Sequence, residues 1–95
     1  MDATTQAMRD VQSDNPYYRV TRWVLPAGAT TGEDQDEHRA TILPSATGQL
    51  LLKKQDGEQH MEAVAGQPLE IEPGVGRELF NTSEHELSFT MIEFK

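Results

Sequence analysis

Short runs of β-branched and aromatic residues, separated by turn signals at a spacing of about 8 to 12 residues, constrain this chain more than any other feature. Glycine supplies backbone conformations that other residues avoid, and proline removes a backbone hydrogen-bond donor, so both mark the ends of strands. No segment has a convincing helical periodicity. The pattern predicts seven or eight short strands in an all-β barrel or sandwich. The turn signals are Asn15-Pro16, Pro26-Ala27-Gly28, Pro44, Asp56-Gly57, Gly66-Gln67-Pro68 and Pro73-Gly74.

The expected strands cover most of the chain after its first ten residues. Asp56-Gly57 predicts a two-residue hairpin turn, since this pair suits the positive φ that such a turn needs. A short edge strand is expected at residues 11–13, and longer strands at 17–25, 38–43, 47–54, 58–64, 69–72, 77–81 and 86–94.

The last expected strand changes its apolar face. Every second residue from Leu87 to Met91 is apolar, which places these side chains on one side. The next apolar residues, Ile92 and Phe94, lie on the opposite side. This change predicts a β-bulge or a strand that is buried on both faces.

The size of the chain limits how much apolar surface it can bury. Its 95 residues contain no repeat and no cysteine, so we expect one domain with a thin core and no disulfide. Oligomerisation is the remaining way to bury more surface, and we therefore expect a homodimer. Residues 1–16 are expected to form an N-terminal arm, partly flexible or packed on a partner subunit, and residues 17–95 to form the barrel.

The charge of the chain excludes some partners. Its formal net charge is -8, and its eight Lys and Arg residues are scattered, so we expect no nucleic-acid partner. No apolar stretch approaches the roughly 18 residues of a membrane helix, and the N-terminus lacks the basic and apolar regions of a signal peptide. We expect no membrane partner and a cytoplasmic location.

Two spaced motifs occupy the middle of the chain. The first reads Gly28-x5-Asp34-Gln35-Asp36-x4-Thr41-x6-Gly48, and the second reads Gly66-x5-Glu72-Pro73-Gly74-x2-Arg77-x3-Asn81. They resemble the two signature motifs of the cupin superfamily, Gly-x5-His-x-His-x(3 or 4)-Glu-x6-Gly and Gly-x5-Pro-x-Gly-x2-His-x3-Asn. All four glycines and the final asparagine are in register.

The resemblance, which extends from about residue 19 to residue 95, implies a small single-domain cupin with a jelly-roll-like β-barrel, and such small barrels are commonly dimeric. In the family, the three His and the Glu of the motifs hold a divalent metal. Here Asp34 and Asp36 replace the paired His, Ala40 or Thr41 replaces the Glu, and Arg77 replaces the His of the second motif. The resemblance therefore indicates a fold and leaves the reaction open.

We interpret the substituted positions as an ion-pair network in the barrel mouth. Residues two apart on a strand share a face, so Asp34 and Asp36 are expected to point inward with Arg77 opposite. An arginine stays charged, and Asp and Arg can satisfy one another through two parallel hydrogen bonds. We expect this network, with His38 and Arg39 at the same mouth, to replace the metal, so that no cofactor is needed. Arg77 would then suit a small anionic ligand.

Two other interpretations of these residues stay open. The acidic segment can be a solvated loop that never enters the barrel. Alternatively, Asp34, Asp36 and His38 can form an oxygen-rich site for a divalent metal such as Mn²⁺. His38 is then a ligand or a general base, where otherwise it is a solvent-facing strand residue.

Three functions follow from these interpretations. The first is a metal-independent small-molecule-binding or accessory barrel, and the second is a cupin-type metalloenzyme, an isomerase or oxygenase. The third is a degenerate barrel that serves as a dimerisation or interaction module. Trp23, Phe89 and Met91 are expected either to pack in the core or to line a ligand pocket.

Overall fold

The structure, a computed structural model, describes residues 6–33 and 38–95. Within these residues every regular element is a strand, which confirms the expected all-β class. No helix in the described part is long and apolar enough to cross a membrane. The strands are β1 (Met8–Asp14), β2 (Tyr18–Leu25), β3 (Ala40–Pro44), β4 (Gly48–Lys54), β5 (Gly57–Ala63), β6 (Leu69–Ile71), β7 (Glu78–Asn81) and β8 (Leu87–Phe94).

The strands form two antiparallel sheets with the core between them. One sheet has the order β1-β2-β8-β3-β6, and the other has the order β5-β4-β7. Successive side chains of a strand point to opposite faces, so every second residue of β3 and β8 is buried, as are Leu50 and Leu52 of β4. The two inner faces together bury the apolar core, whose larger members are Leu25, Ile42, Leu50, Leu52, Ile71, Leu79, Leu87 and Phe89.

Strand β1 is longer than the edge strand expected at residues 11–13. It runs from Met8 to Asp14 and pairs with β2, with a shift of register between Val11 and Ser13. All of its residues are exposed, so it lacks the apolar alternation by which a strand is recognised in a sequence. Backbone pairing to β2 is what holds it in the sheet. Packing of residues 1–16 on a partner subunit stays a prediction.

Strand β8 contains no bulge, which leaves the second of the two alternatives expected for it, a strand with burial on both faces. Its pairing with β2 and with β3 runs without a shift of register. Leu87, Phe89, Met91 and Glu93 are all buried, while Ile92 lies on the other face and is half-buried. The inward-facing positions of β8 continue past Met91, but the next of them holds the carboxylate of Glu93. The apolar pattern changes face because a charged residue takes the inward position.

The β4–β5 hairpin turn also differs from the expectation. Lys54 pairs with Gly57, so the two turn residues are Gln55 and Asp56, and Gly57 is the first residue of β5. Neither turn residue has positive φ, because the described positive-φ residues are all glycines. The local preference of Asp-Gly for a positive-φ turn is overridden by the register of the two strands.

Asn81, the last residue of the second motif, is fully buried and connects several backbone segments. Its side-chain nitrogen donates to the carbonyl oxygens of Leu25 at 2.9 Å and His85 at 2.8 Å, and more weakly to that of Pro26 at 3.3 Å. Its side-chain oxygen accepts from the backbone nitrogen of Ser83 at 2.9 Å. All polar atoms of this side chain are satisfied, so Asn81 holds one end of the barrel together.

The first glycine and the last glycine of the first motif have different roles. Gly28 has a φ of 81°, a left-handed conformation that glycine adopts without strain. At Gly48, an added Cβ would lie 2.5 Å from the hydroxyl oxygen of Ser83 and 2.6 Å from a methyl carbon of Leu87. Gly48 is therefore required by close packing rather than by backbone conformation.

Charged side chains connect the residue after β8 to the end of β1 and to β2. Lys95 forms an ion pair with Asp14, and the Nε of Arg19 donates to the same carboxylate at 3.2 Å. The backbone nitrogen of Lys95 also donates to the carbonyl of Tyr17 at 2.9 Å. The hydrogen bond from Lys95, aided by Arg19, holds the pKa of Asp14 below its usual range.

We expect the Asp14 carboxyl to titrate at a lower pH than an ordinary aspartate. A lowered folded-state pKa means that the stability it contributes is present above the unfolded pKa and is lost as pH falls through the folded pKa. Lys95→Met should raise the Asp14 pKa toward its ordinary value, because it removes the main hydrogen bond. NMR titration of the side-chain carboxyl carbon measures this, with Lys53→Met as the control. An unchanged Asp14 titration in Lys95→Met would contradict the assigned cause.

Candidate functional site

Arg77 lies inside the barrel, immediately before β7. It is 2% exposed, and its Nη1 donates to the backbone carbonyl of His38 at 2.7 Å and, more weakly, to that of Glu72 at 3.4 Å. These carbonyls orient the guanidinium without neutralising it. A buried charge is costly unless an opposite charge is near, so the arginine needs an acidic partner.

Glu93 on β8 is an acidic partner of Arg77 in the described structure. It is 5% exposed, and its Oε2 lies 3.6 Å from Nη2 of Arg77. Its Oε1 lies 4.0 Å from Nη1 of Arg19 on β2. Both distances exceed the roughly 2.7 to 2.9 Å of a direct charged hydrogen bond. One buried carboxylate therefore lies between two guanidiniums and interacts with both through electrostatic attraction.

The neighbouring strands explain how Glu93 fits in the interior. Glu93 pairs with Arg19 on one side and with Ala40 on the other. Ala40 is fully buried, and its small side chain leaves space beside it for the carboxylate. Thr41 faces outward, where its hydroxyl donates to Glu70 at 3.2 Å. The inward residue at the motif's Glu position is thus Ala40, and a carboxylate reaches the interior from the adjacent strand instead.

A cavity of about 230 Å³ opens at this polar end of the barrel. Trp23, Leu79 and Met91 supply apolar wall, and Thr21 and Thr31 supply hydroxyl-bearing wall. Within the described residues, charges of both signs line it in equal number, namely Arg9, Arg19, Arg77, Glu33, Glu78 and Glu93. A pocket of this kind can hold a small polar molecule with some hydrocarbon.

Thr21 is the unusual polar residue of the cavity wall. It is 1% exposed, and its hydroxyl oxygen has no hydrogen-bond partner in the parts of the chain that the structure describes. Leaving a buried hydroxyl unsatisfied costs about 1 to 3 kcal/mol, so native proteins rarely tolerate one without a reason. A ligand that bonds this hydroxyl would supply the reason.

The structure brings together only some of the residues predicted from the sequence. Arg77 lies in the cavity wall, and His38 contacts it through a backbone carbonyl. Arg39 is exposed and outside the cavity wall, and its carbonyl accepts from the backbone nitrogen of Phe94. Asp34 and Asp36 lie outside the described residues, so their part in the network stays a prediction.

Three residues of the site were not identified from the sequence, although the alternation of inward and outward positions along their strands indicated each of them. Glu93 continues the inward row of Leu87, Phe89 and Met91 by steps of two. Arg19 and Thr21 lie on the same face of β2 as the buried Leu25. Trp23, Phe89 and Met91 were candidates for the wall of a ligand pocket. Trp23 and Met91 line the cavity, whereas Phe89 packs in the core away from it.

The described residues at the family's metal-ligand positions do not fit a divalent metal. Arg77 is a permanent cation with donors only, and Ala40 has no ligand atom. No group of three His, Asp or Glu residues able to hold a metal occurs within residues 6–33 and 38–95. We therefore propose no metal-dependent reaction at this site.

Comparisons with known proteins agree on the fold. No family model matches the chain. It is 37% identical to the β-alanine degradation protein BauB of Pseudomonas aeruginosa, over 95 residues that span both chains completely. It also resembles the crystal structure of a cupin domain from Bordetella pertussis, with 32% identity, a TM-score of 0.81, and coverage of 95% of this chain and 94% of that one.

A more distant structure shows the fold alone. A conserved protein from Klebsiella pneumoniae with a double-stranded β-helix domain has 16% identity and a TM-score of 0.75. The match covers 99% of this chain and 81% of that one. The arrangement of two facing sheets is therefore kept where most side chains differ.

We expect Glu93→Gln to lower the free energy of unfolding by about 3 kcal/mol, because the change leaves the buried Arg77 without the Glu93 charge. Urea denaturation measures this, with the exposed Glu62→Gln as the control. The double variant Arg77→Met with Glu93→Leu should lose less free energy of unfolding than the two single variants do in sum, by about 1 to 3 kcal/mol. The reason is that neither buried charge then remains without the other. A Glu93→Gln stability equal to that of Glu62→Gln would contradict the buried pairing.

We expect Thr21→Val to raise the free energy of unfolding of the ligand-free protein by about 1 kcal/mol or more. Valine has nearly the same shape as threonine and removes the unsatisfied hydroxyl. Thr90→Val, on the half-buried outer face of β8, should change stability by less than about 0.5 kcal/mol. A loss of stability in Thr21→Val would show that the hydroxyl has a partner in the folded protein.

Proposed function

The chain belongs to the cupin superfamily, and we propose that it is a metal-independent member that binds a small organic anion in the cavity between its sheets. The observation that carries this proposal is the cluster of the half-buried Arg19 with the buried Glu93 and Arg77 at the polar end of the barrel. Arg77 stands at a motif position where the family supplies a metal ligand. The protein then acts as a small-molecule-binding or accessory barrel.

The charges of this cluster favour an anion. Two guanidiniums and one carboxylate leave a net charge of +1 on these three side chains, while the other charges of the cavity wall, Arg9, Glu33 and Glu78, lie outside the cluster. A guanidinium presents a planar fork of donors that matches a carboxylate. Attraction between charges is stronger in a partly buried site than in water. These features support a carboxylate as the anionic group.

The size of the cavity limits the ligand to a small metabolite. About 230 Å³ is below the roughly 300 Å³ at which pockets for drug-sized molecules begin. It corresponds to about eight water molecules at roughly 30 Å³ each. The relative from Pseudomonas aeruginosa is named for β-alanine degradation. We therefore take β-alanine and other short carboxylic acids as the first candidates.

A homodimer is part of the same proposal. Tyr18 and Phe94 pair on neighbouring strands and are 38% and 47% exposed. They give the outer face of the larger sheet an apolar surface that a second copy could cover. Light scattering on an eluted size-exclusion peak gives the mass directly, and a monomer at micromolar concentration would overturn this part of the proposal.

The metal-dependent alternative also has a direct test. A metalloenzyme that uses Asp34, Asp36 and His38 requires about one equivalent of metal per chain in protein purified without an affinity tag. Plasma mass spectrometry measures this content. A stoichiometric metal that disappears in Asp34→Ala with Asp36→Ala would replace the metal-independent proposal.

We expect tag-free protein to bind a short carboxylate equally well with and without a chelator, as measured by calorimetric titration. Arg77→Lys should weaken binding at least tenfold, or about 1.4 kcal/mol, because lysine keeps the charge but loses the fork. Arg39→Gln is the matched control, since Arg39 is exposed and outside the cavity wall. Equal affinities of Arg77→Lys and the wild type would refute the role of Arg77.

A further inference from the structure

The two walls of the cavity carry different charges. The wall formed by β1, β2 and β8 contributes Arg9 together with Arg19 and Glu93. The opposite wall, formed by the segment before residue 34 and the start of β7, contributes Glu33 and Glu78 together with Arg77. Glu93 lies between Arg19 and Arg77, so this cluster is partly neutralised. Outside this cluster, which keeps a net charge of +1, the remaining charges are Arg9 on one wall and Glu33 and Glu78 on the other.

The two carboxylates are held on a fixed piece of backbone. Glu78 accepts a hydrogen bond from the hydroxyl of Thr30 at 2.6 Å. Thr31 binds Leu79 twice, through its backbone nitrogen at 3.0 Å and through its hydroxyl at 3.1 Å. The segment before Glu33 is therefore fastened to β7, and the hydrogen bond from Thr30 holds the carboxylate of Glu78.

The carboxylate of Glu33 lies beside the backbone of Gly76. A Cβ at Gly76 would lie 3.5 Å from Oε2 of Glu33, which is an ordinary van der Waals distance. Lys53 and Lys54 line a separate surface hollow with the same two glutamates. Within the described residues neither lysine forms an ion pair with Glu33 or Glu78 within 4.0 Å. The carboxylates keep their capacity to bind a cation on the cavity side.

Thr21 gives an independent sign that a ligand lies between these walls. Its buried hydroxyl lacks a partner within the described residues and lies on the arginine-bearing wall, two residues along β2 from Arg19. A ligand carboxylate on this wall can accept from that hydroxyl. Leu79 and Met91 lie along the cavity and would contact a short hydrocarbon segment.

We propose that the ligand is a short zwitterion, an amino acid whose ammonium and carboxylate groups lie at opposite ends of the molecule. This inference rests on the proposed anion-binding function. The carboxylate contacts Thr21 and the guanidiniums of Arg19 and Arg77 that carry the proposed anion binding, and the ammonium contacts Glu33 and Glu78. An ammonium group has three donors and no acceptor, so two carboxylates can satisfy it.

The test compares ligands that differ only in the ammonium group. Tag-free, ¹⁵N-labelled full chain is titrated with β-alanine, 4-aminobutanoate, propionate and butanoate, and binding is followed through the amide signals of the cavity residues. We expect at least one amino acid to bind ten times more tightly than the corresponding acid without the amine. Equal binding within each pair overturns the zwitterion and leaves the anion-binding function standing. No binding of any of the four at millimolar concentration overturns the anion-binding function itself.

Variants of the acidic wall provide the second readout. Glu33→Gln and Glu78→Gln should each weaken binding of the amino acid at least fivefold and leave binding of the simple acid unchanged. Glu62→Gln, on the exposed face of β5, is the matched control and should change neither. A variant that weakens the acid and the amino acid equally would show a general effect on the cavity and would contradict an ammonium site.

Discussion

The buried carboxylate of Glu93 is the interaction on which the polar half of this barrel depends. It lies between Arg19 on β2 and Arg77 before β7, so one side chain connects the two sheets across the interior. None of these charges is stable alone in a buried position, because desolvation costs several kcal/mol for each ion. Strand β8 supplies apolar core at one end and this carboxylate at the other. The barrel is thus apolar where Asn81 closes it and charged where the cavity opens.

The fold could be predicted from the sequence because its signals are local. Turn residues between β-rich runs gave the strand class and most strand positions, and the motif register placed Arg77 in the interior. Glu93 and Thr21 could not be found in the same way. Each looks like a surface residue until it is known which face of its strand points into the barrel. The bulge expected as one alternative for β8 is absent for this reason, because the inward position 93 holds a carboxylate. The expected hairpin is present, but its two-residue turn lies one residue earlier than Asp56-Gly57, because Lys54 pairs with Gly57.

Replacement of a metal position by Arg77 changes what the site can do. A bound metal offers open coordination positions and can be exchanged, whereas a guanidinium is covalently attached, always charged and limited to donating hydrogen bonds. Ala40 and Glu93 are part of the same change, because the small alanine leaves the space into which the carboxylate of the next strand extends. The described residues therefore favour recognition and orientation of an anion.

Two buried polar residues show how structure and function divide between the ends of the barrel. Asn81 makes hydrogen bonds through both ends of its amide, as a residue selected for stability should. Thr21 is equally buried, yet its hydroxyl has no partner within the described residues, and it lies in the cavity wall beside the charged cluster. Proteins depart from full satisfaction of polar groups mainly at functional sites. Because a valine would fit the same space without this cost, a hydroxyl at position 21 is best explained by something that binds it.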